Sequence, residues 1–107
     1  MKRVFVSIPM NGRSYQEIKK DMQRVILKLN DYKLKNTKYE LVNSLLNFDK
    51  IKFSKECRNK SVECLGRSIK YLSTADIAYF CKGWKKAREC KIEHEIAKQY
   101  GIEIVDE

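Results

Sequence analysis

Apolar positions along this chain follow two rhythms in turn. From Arg3 to Ile8 the residues are β-branched or aromatic with little polar interruption, the composition of a strand buried on both faces. The run ends in a turn, Pro9-Met10-Asn11-Gly12. Ser14 and Glu17 then stand at capping-box spacing. Beyond them Ile18, Met22, Val25, Ile26 and Leu29 keep helical spacing to about Asn30. A short second strand is predicted from Tyr39 to Asn43. Residues 44–60 carry Leu45, Leu46, Phe48, Ile51 and Phe53 without a clean period, as expected of a lid, a binding loop or an oligomer contact. Ser61 is the expected cap of the next helix, whose inner face is Val62, Leu65, Ile69 and Leu72. Ile77 to Cys81 is a continuous apolar run, hence a central parallel strand. After a loop at Lys82-Gly83-Trp84, a helix is predicted from about Lys85 to Tyr100, stopped by Gly101, and a last strand from Ile102 to Val105.

Strands alternating with helices imply a single α/β domain over residues 1–107, with a parallel sheet, right-handed crossovers and helices on both faces. Ligands of such sheets bind outside the carboxyl ends of the strands, near a reversal of strand order. Two loops are expected there, Ser7 to Arg13 and Lys82 to Lys86.

Charge narrows the choice of partner. Lysine and arginine number 23 against 14 acidic residues, a net charge of +9, which suits an anion such as a phosphate or nucleotide or else reflects a solvated lysine-rich surface. The basic residues are scattered, and no aromatic platform or recognised motif accompanies them, which argues against a nucleic-acid partner. The apolar run after Met1-Lys2-Arg3 stops at Pro9, too short for a signal peptide or membrane span, so a cytoplasmic protein is expected. Cys57, Cys64, Cys81 and Cys90 form no CxxC pair and read as free thiols. Cys90 and His94, at i and i+4, lack the second ligand pair a metal would need.

Some residues invite chemistry. The loop Ser7 to Arg13 leads into a helix N-terminus, where unpaired N–H groups favour an anion; Arg13 adds charge, and Ser7 and Asn11 add hydrogen-bonding groups. The same segment also fits a plain strand-to-helix turn. On the last helix, Cys90, Ile92, Ile96, Ala97 and Tyr100 share one apolar arc, and Glu93 falls inside it. A carboxylate on a buried face is costly unless it is paired, caps a backbone group or works. Glu89 lies one turn earlier, and two approaching carboxylates would push one toward protonation. Asp76, just before the central strand, either turns the chain, binds a ligand or orients Glu93. Trp84, after Gly83, offers a plane that stacks on a base or covers the core. His94 falls on the outer face and is expected at the surface or in an oligomer contact.

These residues make a family visible. The loop Ser7-Ile8-Pro9-Met10-Asn11-Gly12 resembles the Ser-Gly-Pro-Met-Thr-Gly-type loop of the nucleoside 2-deoxyribosyltransferase superfamily. Residues 65–105 resemble a small, often phage-encoded branch of it, through Leu65-Gly66-Arg67-Ser68-Ile69, Ala75-Asp76-Ile77-Ala78-Tyr79-Phe80, Lys82-Gly83-Trp84 and Cys90-Lys91-Ile92-Glu93-His94-Glu95, then Ala97 and Tyr100-Gly101. The resemblance implies a flavodoxin-like, Rossmann-like three-layer sandwich with a mainly parallel sheet of four to five strands. It implies that Glu93 is the nucleophile toward the anomeric carbon of a 2-deoxyribose and that Asp76 belongs to the active site. The Ser7–Gly12 loop would hold sugar or phosphate, with Arg13, Gly83, Trp84 and Glu89 around it. It implies neither metal nor cofactor, and a homo-oligomer of two or more copies. Three positions depart from the pattern. Ile8 replaces a common glycine and would crowd backbone approach; Glu89 replaces another and brings charge near Glu93; Ala87 replaces a frequent serine. The expected activity is cleavage or transfer of a nucleoside or nucleotide N-glycosidic bond; the alternative is a protein that binds or sequesters a nucleotide without chemistry.

Overall fold

The computed structural model describes residues 1–30, 38–42 and 53–107. They form β1 (Lys2–Ser7), α1 (Tyr15–Lys28), β2 (Tyr39–Leu41), α2 (Lys60–Leu72), β3 (Ile77–Phe80), a 3₁₀ turn (Trp84–Lys86), α3 (Arg88–Gln99) and β4 (Glu103–Asp106). The four strands make one all-parallel sheet in the order β2-β1-β3-β4. With three helices against it, this is the flavodoxin-like three-layer α/β architecture expected from the alternation of periods. Residues 43–52, including Leu45, Leu46, Phe48 and Ile51, lie outside the described residues.

The strand order dictates the layers. The chain steps from β1 to β2 on one side, then crosses back over β1 to β3 on the other. Crossovers of one hand must therefore use opposite faces of the sheet. One core accordingly packs Ile18, Met22 and Val25 of α1, with Leu29 at its C-cap, on Val4, Val6, Ile8, Ile77 and Tyr79. The other packs Phe5, Ala78 and Phe80 against Leu72 of α2 and Ala97 of α3. β3 is buried at all four positions, as a central parallel strand requires. The outer strands β2 and β4 are only three and four residues long, which limits edge-to-edge pairing.

Local chemistry sets the element ends, and some differ from the pattern's forecast. Ser14 caps α1, its hydroxyl accepting from the Glu17 N–H at 3.2 Å. The cap of α2 is Asn59 rather than Ser61: the Asn59 side chain accepts from the Val62 N–H at 3.0 Å, which draws the helix start two residues back. Asn59→Ala should therefore cost about 1 kcal/mol in urea unfolding, whereas Ser61→Ala should stay within roughly 0.5 kcal/mol. The last helix does not run unbroken from Lys85. Ala87 is extended and separates the 3₁₀ turn from α3. The apolar stripe of α2 is covered only toward its C-terminal end: Leu72 is fully buried and Val62 is 62% exposed. Ser54 ties the segment before α2 to its first turns, its N–H and hydroxyl both donating to Glu63. Among the described residues no helix is long and apolar enough to cross a membrane.

A candidate site around Glu93

Strand order reverses at β1, so the carboxyl ends of β1 and β3 diverge into loops that run to opposite faces. Ser7 is the last residue of β1 and pairs in register with Phe80, the last of β3. The pleat points Ser7 to the same face as Phe5, toward α2 and α3. There its hydroxyl donates to Glu93 Oε1 at 2.7 Å. The Ser68 hydroxyl, from α2, donates to Glu93 Oε2. One carboxylate thus joins a strand end and two helices, and each of its oxygens has a donor.

Glu93 is 5% exposed, deep in the buried stripe that Cys90 and Ala97 complete on α3. Burial raises its pKa above the ordinary carboxyl value; the Ser68 and Ser7 hydroxyls pull it down, and Glu89 adds a smaller upward push. Glu89 therefore acts on Glu93 through its charge, while its own carboxylate is partly exposed beside Arg88. Cys90, one turn before Glu93, shares Ser7 as a partner. Burial pushes its thiol up to about 11, against the Ser7 hydrogen bond, so it is a protonated packing group at neutral pH. The helical arc of the sequence is rotated in the structure: Ile92 and Tyr100 are exposed, and Glu93 lies nearer the centre of the buried face.

The two expected loops do meet at the carboxyl edge. Gly83 has φ +93° and lies against Pro9; a Cβ there would sit 3.8 Å from the proline Cγ. Gly12 also has positive φ, as the tight entry to α1 needs. Met10 and Asn11 are exposed, and Ile8 buries its side chain in the α1 core, on the face away from Glu93. Arg13 is not a free cation. It donates to the Pro9 carbonyl at 2.9 Å and pairs with Asp21 at 2.7 Å, bracing its own loop against α1.

One expected member stands at the other edge. Asp76 precedes β3, so it lies at the amino edge, about 13 Å along the strand from Phe80. It exchanges hydrogen bonds with the Arg3 backbone, its N–H to the carbonyl at 2.7 Å and Oδ2 from the N–H at 2.8 Å. The structure does not bring it to Glu93. Trp84 stacks on His94, with centroids 3.8 Å apart and planes 9° apart, and both meet Phe80. His94, expected on the outer face, has a side chain only 17% exposed and bonds Asp106 at 3.0 Å. It is half-buried because the tryptophan plane covers one of its faces.

Ser68 is the member the sequence reading passed over. It lies between Leu65 and Leu72 on the inner stripe of α2, the same signal that marked Glu93: a polar residue on an apolar arc. The start of α3 has no side-chain cap, since Ala87 carries no side-chain oxygen. Among the described residues no group of three or more His, Cys, Asp or Glu side chains is placed to hold a metal ion.

No family model, curated protein or solved structure matches the chain.

Proposed function

We propose that the chain cleaves or transfers the N-glycosidic bond of a 2′-deoxynucleoside or its monophosphate, with Glu93 as nucleophile. The observation that carries this reading is the Glu93 carboxylate, buried at the carboxyl edge beside the strand-order reversal and held by one hydroxyl on each oxygen. Two neutral donors fix the carboxylate without neutralising it, as a nucleophile needs. Attack by a Glu93 oxygen forms a bond to C1′ while the C1′–N bond breaks. Its electron pair leaves with the base, which takes up a proton from solvent. Water or a second base then attacks C1′ and gives up a proton to solvent, the bond from C1′ to the Glu93 oxygen breaks, and the carboxylate is regenerated.

A second reading, nucleotide binding without turnover, is favoured by the same burial. Desolvation holds Glu93 toward its protonated form, which hydrogen-bonds a ligand but does not attack it.

One assay separates the two. The protein is incubated with purine and pyrimidine 2′-deoxynucleosides and their 5′-monophosphates; free base is followed by chromatography and the protein by intact mass. Base release with a deoxyribosyl adduct mapped to Glu93 supports the enzyme. Calorimetric binding without release supports the second reading, and neither binding nor release overturns both.

A further inference from the structure

The other face of the same edge holds a second constellation, which no step above uses. An open hollow of about 440 Å³ is lined by Arg13, Asp21, Arg24, Lys28, Lys82 and Glu107. Four of these are cationic and two acidic. Glu107 sits in the middle with its side chain 7% exposed. Its carboxylate receives five donors. Oε1 accepts from Arg24 Nη2 at 2.7 Å and the Lys82 N–H at 3.0 Å. Oε2 accepts from Arg24 Nη1, the Tyr79 hydroxyl at 2.6 Å and Lys28 Nζ at 3.1 Å.

Asp21 shares Arg24, accepting from its Nε and Nη2, and pairs with Arg13, yet the donors on Glu107 by themselves exceed what one carboxylate holds. A carboxylate has about four lone-pair sites, two on each oxygen, so three donors on Oε2 crowd it. A phosphoryl group offers three strong acceptor oxygens and up to two negative charges. The donors also have the mix that phosphate uses: a guanidinium fork, an ammonium, a hydroxyl and a backbone N–H. We propose that this hollow is a binding site for a phosphoryl dianion, which Glu107 fills from within the chain and an incoming phosphate displaces. Burial alone would raise the Glu107 pKa. Arg24, Tyr79, the Lys82 N–H and Lys28 outweigh it and hold the carboxyl well below its ordinary range, the behaviour of a cradle built for negative charge. No ion pair joins the Lys82 ammonium to a described residue, so one cation at the rim is left for the ligand. The inference does not rest on the Glu93 reading.

The test is an NMR titration of the wild type, Glu107→Gln and Glu107→Ala with inorganic phosphate, with a 2′-deoxynucleoside 5′-monophosphate, and with sodium chloride at matched ionic strength. The reporters are the Lys82 amide and Arg24 Nε. Internal occupancy lowers apparent affinity by the fraction of empty cradle. Phosphate should therefore bind Glu107→Ala about tenfold or more tighter than the wild type, with both reporters shifting, and Arg24→Ala in that background should abolish the response. Response to the monophosphate but not to free phosphate identifies a nucleotide site; response to both identifies a general phosphoryl site. If Glu107→Ala does not fold, the wild type and Glu107→Gln suffice, the latter keeping the shape without the charge. Phosphate shifts no larger than those of chloride in every folded form, or shifts confined to other residues, overturn the proposal.

Discussion

Glu93→Gln is expected to lose base release by at least about a thousandfold and, in the same sample, to unfold at higher temperature than the wild type above neutral pH. The loss follows because an amide nitrogen or oxygen cannot stand in for the attacking carboxylate. The gain follows from burial. The folded-state pKa of Glu93 is raised, so its contribution to stability is complete below the unfolded carboxyl value of about 4.3 and is lost as pH climbs through the folded value. Glutamine has the same shape and no charge to desolvate. Its oxygen accepts from one serine, and its NH₂ donates to the other, whose hydroxyl rotates to receive it. The expected gain is about 1 kcal/mol at high pH, shrinking toward zero in acid, measured by thermal unfolding across a pH series. Glu107 contributes with the opposite sign. Its folded pKa is depressed, so its stabilisation is present above the unfolded value and is lost as pH falls. Acid should therefore destabilise through Glu107 while the Glu93 penalty disappears. Base release unchanged in Glu93→Gln removes Glu93 from the chemistry; a flat stability difference with pH removes the burial argument.

Phe80→Ala should cost about 3–5 kcal/mol, a large part of the roughly 5–15 kcal/mol that holds a domain folded. Phe80 is fully buried at the end of β3, in the core that Phe5, Leu72, Ala78 and Ala97 share. Its ring also takes the edge of His94 at 4.6 Å and lies 5.8 Å from Trp84. Truncation leaves a cavity under the stacked pair and beside the strand end opposite Ser7, where little can collapse into it. The melting temperature should fall on the order of 15 °C or more, and the denaturant midpoint with it. A loss below about 1 kcal/mol in urea would mean that this face is not packed as described.

The fold was legible because the two hydrophobic periods are clean where it matters. The run at Ile77 to Cys81 has no charged member, as suits a strand covered on both faces, and the three helices each carry an inner stripe. Glu93 was legible as a charge on one such stripe, and Ser68 carried the same signal more quietly, since a serine in a helix is common where a glutamate inside is not. Asp76 left three roles open, turning the chain, binding a ligand or orienting Glu93; a residue preceding a parallel strand lies at its amino edge, and there it turns the chain against Arg3. His94 was assigned to the exterior because helical angle alone does not know that Trp84 will fold over it. The Glu107 cradle was illegible: it draws on α1, β3 and the residue after β4, and spacing along the chain says nothing about which side chains cross a sheet edge. The start of α2 turned on Asn59 against Ser61, two good caps between which only the geometry decides.

The Ser7–Glu93 bond spans 86 positions of the chain, and Ser68–Glu93 spans 25. Closing the longer span joins the end of β1 to α3 across most of the chain, and contacts of long sequence separation cost the most chain entropy to close. The serine–glutamate clasp therefore exists only where β1, α2 and α3 are all docked on one another. Any separation of α3 from the sheet takes Glu93 away from both serines at once.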